Sequence, residues 1–424
     1  MPGLLWISSR ASRARAVGLT SDVIASASLQ RIVRVDPTAV ARRVGRLGSV
    51  RTTRSAPTPP GAPTLSGAHP AALEEHAIST ATVPAPSAAA REQSQLRLAA
   101  LATPPGALGR LGDIAVWLSS TQGQVPPIPL TNVRLVIFAG DHGVAQHGVS
   151  AFPPEITGAM VRTFLAGRAG VSALARTHDV HVRVLDLGCT DDFADLEAGV
   201  RADLQAHKVR RGSEPIHLAD ALTQQQYADA WVAGETVARE ELGQGADLVI
   251  SGDMGIGNTT PTAALVAAAL ALPGSAVAGR GTGVDDAALT HKAAIVDQAL
   301  ARLGDRTDDP AEALRVLGSA DLVATTAFLV TAARAGVPAL LDGLIGVACG
   351  LLADRIAPGA AAWFAAGHRS PEPGQSLALQ SLGLSPLLDL GMRLGEGSGA
   401  VAAVPLLHSA VALLRDVALL EDLG

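Results

Sequence analysis

The stretch "VRLVIFAGDHGVAQHGVSAFPPEIT", residues 133 to 157, decides the fold. Its first eight residues are an apolar run of strand length that ends in glycine and opens into a polar loop. The arrangement recurs along the chain: "VHVRVLDLG" (180 to 188), "ADLVISG" (246 to 252), "GVPALLDG" (336 to 343) and "AAWFAAGH" (361 to 368). Continuous apolar strands separated by helical patterns predict βαβ units, hence an α/β fold with a Rossmann-like parallel sheet covered by helices on both faces. In such sheets ligands bind outside the carboxyl ends of the strands. The informative residues should therefore follow the strands.

Composition narrows the function class. With 48% apolar and 17% charged residues in 424, the chain suits a large buried core. A net charge of −6 argues against nucleic acid as the main partner. Cys189 and Cys349 stand far apart and form no CxxC, so neither a disulfide framework nor a zinc site is indicated, and a reducing cytosol is the natural compartment. The apolar run 336 to 353 has the length of a membrane span. Asp342, a proline and several glycines interrupt it, and it reads as a buried strand followed by a buried helix rather than a membrane segment.

The first seventy residues differ. They hold ten arginines and no lysine against Asp22 and Asp36, and they run into "SAPTPPGAPTLSGAHPAA" (55 to 72), a linker composition. An Arg-rich, acid-poor start resembles a transit peptide. The whole chain, however, carries two lysines to thirty-one arginines, the bias of a GC-rich genome, which favours a disordered extension at 1–72, or an over-long reading of the gene, over targeting. The remainder divides into a helical segment at 73–115, an α/β domain at 116–385 and a C-terminal helical segment at 386–424. The two helical segments are expected to form one smaller domain.

Two segments after strands carry chemistry. In "GDMGIGNTTPTAAL" (252 to 265), Gly255 and Gly257 let the backbone bend around an anion. Thr259 or Thr260 can cap a helix with Pro261 in its first turn, and amides at that helix start form a phosphate site. The segment lacks GK[ST] and GxGxxG, so a P-loop or dinucleotide reading has little support. In "GRGTGVDDAALTHKAAIVDQAL" (279 to 300) a glycine-rich turn leads into a helix from about Asp285 that carries Lys292, one of the two lysines. His142 and His147, and His178 and His181, lack metal-ligand context and read as structural or surface histidines. Near the C-terminus, "RLGEGSGAVAAVPLL" (393 to 407) places Glu396 between two glycines. From that stretch alone, a solvated turn acid and a functional acid are both open.

Together these segments resemble the nicotinate-nucleotide:dimethylbenzimidazole phosphoribosyltransferase family of cobalamin nucleotide-loop assembly. The matching blocks are "FAGDHGVAQHGVSAFPPEIT", "GDMGIGNTT", "GRGTGVDDAALTHK", "VPALLDGLIGVACGLLA", "GHRSPEPGQ" and "LGLSPLLDLGMRLGEGSGA", in the family's order from about residue 95 to the end. The resemblance implies that the enzyme exchanges nicotinate for 5,6-dimethylbenzimidazole on nicotinate mononucleotide, giving α-ribazole 5′-phosphate. It implies Glu396 as catalytic base, with Asp253, Gly255, Gly257, Asn258, Lys292 and Ser370 on the nucleotide side. Phe152 and Met160, in and after the loop from Gly148, are expected beside the apolar base. Asp253 stands where the family usually has glutamate. A cytoplasmic homodimer without cofactor or metal is expected. The alternatives are a transferase of the same fold using another aromatic base, and a non-catalytic homologue that binds base or nucleotide.

The chemistry accounts for a single acid. Nicotinate leaves as a neutral ring nitrogen and needs no general acid, whereas the attacking benzimidazole acquires an acidic N–H that one base must remove. The paired carboxylates of glycosidases are unnecessary.

Overall fold

The computed structural model describes residues 82–424, which lie in one compact unit. The extension expected at 1–72 falls outside the described residues. Six strands, β1 (Val133–Gly140), β2 (His181–Gly188), β3 (Leu248–Met254), β4 (Ala339–Leu341), β5 (Phe364–His368) and β6 (Pro386–Leu388), form one all-parallel sheet ordered β2-β1-β3-β4-β5-β6. The first five begin within the apolar runs read as strands. The sixth was not expected: it opens the segment assigned to C-terminal helix, and its three residues start with proline. Proline is tolerated at that place because β6 is an edge strand, where one side of the backbone has no ladder to join.

Helices α1 (Ala88–Ala100) and α2 (Gly109–Gln122) precede β1. Helices α3 (Ile156–Leu165) and α4 (Gly170–Thr177) join β1 to β2, and α5 (Ala198–Leu204) and α6 (Gln224–Gly243) lead to β3. The long connection to β4 holds α7 (Thr259–Leu270), α8 (Gly274–Val277), α9 (Asp286–Leu303), α10 (Pro310–Leu317) and α11 (Ala320–Arg334). Helices α12 (Leu344–Ile356), α13 (Pro373–Leu382) and α14 (Ser398–Asp416) complete the chain.

Alternation along the strands divides the apolar side chains between two cores. Val136 and Phe138 of β1 pack with residues of α6, α7, α11 and α12, while Leu135 and Ile137 pack with residues of α2, α3, α4 and α14. Both faces of the sheet are thus covered, which is why its strands are continuously apolar. The run 336 to 353 becomes β4, a turn at Asp342 and Gly343, and the buried helix α12.

Helices from both ends of the described chain pack together. Arg97 of α1 donates from Nε to Leu414 O (2.7 Å) and from Nη2 to Arg415 O (3.0 Å), and Leu101 bridges to Leu419. The expected boundary at 115/116 falls inside α2, whose apolar face continues unbroken from Ile114 to Leu118. Among the described helices, α14 is the one long and apolar enough to cross a membrane. Here Val401, Val404, Leu407 and Val411 are buried in the second core.

Strand β1 has β2 on one side and β3 on the other, so the chain leaves their carboxyl ends in opposite directions. That switch point opens a crevice.

Candidate active site

A cavity of about 450 Å³ occupies this crevice, within the range of about 300–1,000 Å³ usual for small-molecule sites. Asp253, Gly255, Gly257, Asn258, Ser370, Phe152, Met160 and Glu396 all line it, although they come from segments up to 244 residues apart. Lys292 does not line it.

Glu396 sits at the tip of a tight loop in which Gly395, Glu396 and Gly397 have φ of 75, 67 and 89°. A left-handed glutamate costs about 1–2 kcal/mol, so the surroundings must impose the conformation. Asp342 does so, accepting from Gly397 N (3.1 Å) and Ala400 N (2.9 Å) at the start of α14. The loop also lies against the end of β3, where a side chain at Gly252 would collide with the carbonyl of Glu396. The carboxylate is 6% exposed, and its Oε2 accepts from Val171 N in the first turn of α4 at 3.3 Å. Burial pushes its pKa up, and the charge of Asp342 adds to the effect, while the Val171 amide works against it. The solvated-turn reading therefore fails. Glu396 is a buried acid poised to take up a proton at a higher pH than an ordinary carboxylate.

At the opposite wall, α7 begins at Thr259 with Asn258 as N-cap. Neither Thr259 nor Thr260 caps it, contrary to expectation. Asn258 already has helical φ and ψ, so both threonines lie within the first turn. Asn258 Nδ2 instead donates to Asp253 Oδ1 (2.6 Å). Burial raises the pKa of Asp253 well above the usual carboxylate range, with neighbouring Asp321 adding to it. Burial also opposes ionising Asp321, but His142, 3.3 Å away, together with the side chains of Ser319 and Asp253 holds that pKa down. The two shifts run in opposite directions, so of the pair Asp253 is the one that favours the protonated form.

Lys292 stands behind the cavity wall. It is fully buried, and its ammonium donates to Thr259 Oγ1 (2.7 Å) and Gly279 O (3.0 Å). Desolvation lowers its pKa to about 8, partly opposed by the carboxylate of Glu372. Thr259 separates it from the cavity, so its positive charge is felt there without contact. The hydroxyl of Ser370 is engaged with Gln375 Oε1 at 2.8 Å. Across the mouth, Ala151 N donates to Thr282 Oγ1 (3.1 Å), tying the loop that carries Phe152 to the glycine-rich turn before α9. Phe152 is half exposed and Met160 partly buried, and both line the cavity together with Leu394 and Glu396.

Three residues were missed as functional by sequence reasoning. Asp342 was noted only as an interruption of an apolar run, although a lone acid there signals a buried acceptor. Glu372, in a matched block, lines the cavity with one carboxylate oxygen unpartnered. Arg393, three residues before Glu396, lines it too. No periodicity marks the last two.

A parallel α/β sheet with a charged, partly apolar cavity at its switch point is the frame of a small-molecule transferase, and a family model described as phosphoribosyltransferase matches residues 83–424. The nicotinate-nucleotide–dimethylbenzimidazole phosphoribosyltransferase of Mycobacterium marinum is 49% identical over 347 residues, 82% of this chain and 95% of that protein. That of Mycobacterium leprae is 46% identical over 344 residues, 81% and 96% of the two chains. The crystal structure of CobT from Thermus thermophilus has a TM-score of 0.75 at 42% identity, covering 79% of this chain and 98% of that one. The chain belongs to the nicotinate-nucleotide–dimethylbenzimidazole phosphoribosyltransferase family.

Proposed function

We propose that this chain transfers the phosphoribosyl group of nicotinate mononucleotide to 5,6-dimethylbenzimidazole, with inversion at the anomeric carbon, giving α-ribazole 5′-phosphate for the lower ligand of cobalamin. The observation that carries the reading is Glu396: one buried carboxylate of raised pKa, held in a strained loop at a cavity that the start of α7 also lines.

The base lies between Phe152 and Met160, with its N–H towards Glu396. Its unprotonated ring nitrogen attacks the anomeric carbon from the face opposite the departing nicotinate. The electrons of the glycosidic bond return to the pyridine nitrogen, and Glu396 removes the benzimidazole proton. The phosphate takes the turn of Gly255, Gly257 and Asn258 at the start of α7, where the helix dipole and the charge of Lys292 behind Thr259 favour an anion. Asp253, neutral, donates towards the ribose, and Ser370 holds the wall beside it. Fixing the sugar from both ends supports in-line attack. By the same family membership, the protein is expected to act as a cytoplasmic homodimer.

The test is incubation of the purified protein with nicotinate mononucleotide and dimethylbenzimidazole, with chromatographic and mass identification of the product. Formation of α-ribazole 5′-phosphate together with nicotinate is the expected result. Binding of both compounds without turnover would replace the reading with a non-catalytic one, and a panel of other aromatic bases reveals a different preference.

A further inference from the structure

Glu372 has no part in the scheme above, yet it lies at the cavity between the two segments that shape the nucleotide side. It is 7% exposed and lines the cavity beside Ser370. Its Oε1 accepts from Gly281 N (2.8 Å), which fixes the carboxylate against the glycine-rich turn. Its Oε2, equally buried, lies against Gly279, where a side chain would collide with it, and finds no hydrogen-bond donor among the described residues. Lys292 does not supply one: its ammonium donates to Thr259 and Gly279, and no hydrogen bond joins it to Glu372. A buried carboxylate oxygen left unsatisfied is costly, so the chemistry that fits it is a donor brought by the ligand.

From this we infer that Glu372 is the ribose-positioning residue: its Oε2 accepts from the vicinal hydroxyls of the bound nucleotide and so selects ribonucleotides over deoxynucleotides. The inference rests on the proposed use of a mononucleotide and adds to it a named acceptor. The placement favours a hydroxyl over the other donors of the substrates. The phosphate and nicotinate carboxylate are anions that a carboxylate repels, and the benzimidazole N–H goes to Glu396. A carboxylate is also suited to the task because it can accept from two adjacent hydroxyls at once. With Oε1 anchored on Gly281, the carboxylate is held at the cavity before the sugar arrives.

The experiment compares nicotinate mononucleotide with its 2′-deoxy and 3′-deoxy analogues, as kcat/KM with dimethylbenzimidazole, in wild type and in Glu372→Gln. Wild type is expected to discriminate against at least one analogue by about 10–100-fold, the effect of deleting one charge-assisted hydrogen bond. In Glu372→Gln, which keeps the shape and an acceptor for Gly281 N, that ratio should fall to within about threefold through loss of the charged acceptor. A role limited to bracing the turn predicts something else: an equal loss with parent and analogues, the ratio unchanged, and that result would overturn the inference. If wild type uses both analogues as well as the parent, the inference falls without any variant. Thermal shift with each nucleotide alone gives the same comparison as binding, independent of turnover, so it still decides the matter if the variant folds poorly or the transferase reading itself fails.

Discussion

Glu396 shows how much a single residue's neighbours determine. Removing it as a base while keeping its shape, Glu396→Gln, is expected to lower kcat by about 10²–10⁴-fold with both KM values little changed, as steady-state kinetics would reveal. A folded variant retaining more than a tenth of wild-type kcat would return the residue to a positioning role. The raised pKa also sets the sign of two pH effects. Wild-type kcat should fall on acidification, starting at a higher pH than an ordinary carboxylate would give. Stability runs the other way: burial disfavours the ionised form, so ionising Glu396 opposes folding above its ordinary pKa of about 4.3, and below that value the effect vanishes because both states are protonated. Thermal melts should therefore find Glu396→Gln at least as stable as wild type at neutral pH, with no difference near pH 4. Lys292 offers a second titration. With its pKa lowered to about 8 by burial, it is partly neutral at pH 8.5, and an anionic phosphate at the start of α7 should restore its proton. Calorimetry of nucleotide binding at pH 8.5 in buffers of different ionisation enthalpy should register proton uptake, absent in Lys292→Met. Binding with no proton uptake by wild type would place the phosphate elsewhere. The importance of both residues was legible as an unusual acid among glycines and a rare lysine. Burial was not, because it depends on other segments: Glu396 meets Val171, 225 residues away, and Lys292 meets Thr259 and Gly279 of preceding segments.

At the scale of elements, the loop that carries Glu396 is held by the start of α14 and by Asp342, which follows β4. Asp342 follows β4 and bonds two amides at the α14 N-terminus, so Asp342→Asn, which loses the charge but keeps one acceptor, should cost about 1–2 kcal/mol in stability. It should also lower kcat more than either KM, because Glu396 would no longer be held at its left-handed φ. Denaturant unfolding and kinetics on one preparation check both effects, and a normal kcat would show that the loop is set by other contacts. The strands were legible because a strand buried on both faces must be continuously apolar, and β1 matches its run residue for residue. Helix α9 was legible from Asp285, whose side chain accepts from Ala288 N as an N-cap should (2.8 Å). The short edge strand β6 was not, since three residues beginning with proline carry no periodicity. The cap of α7 was also misread: threonine propensity favoured Thr259 or Thr260, while the turn from Gly255 to Asn258 started the helix one residue earlier.

For the molecule as a whole, the family match begins at residue 83, just where the described chain begins. A chain starting at Leu73 is accordingly expected to fold and to turn over with unchanged kcat and KM, judged by circular dichroism and kinetics. Loss of activity on that truncation would give the arginine-rich segment a role. The sequence by itself determined the parallel α/β architecture, because hydrophobic periodicity is a local property set by which side chains a strand can accommodate, and its motifs named eight of the residues that line the cavity. It left open whether Glu396 was solvated, put Lys292 on the nucleotide side without showing that it stands behind Thr259, and passed over Asp342 and Glu372. Those questions belong to the tertiary structure alone, since desolvation, the approach of Val171 to a carboxylate 225 residues away and the interposition of Thr259 all arise only when distant segments converge at the switch point of the sheet.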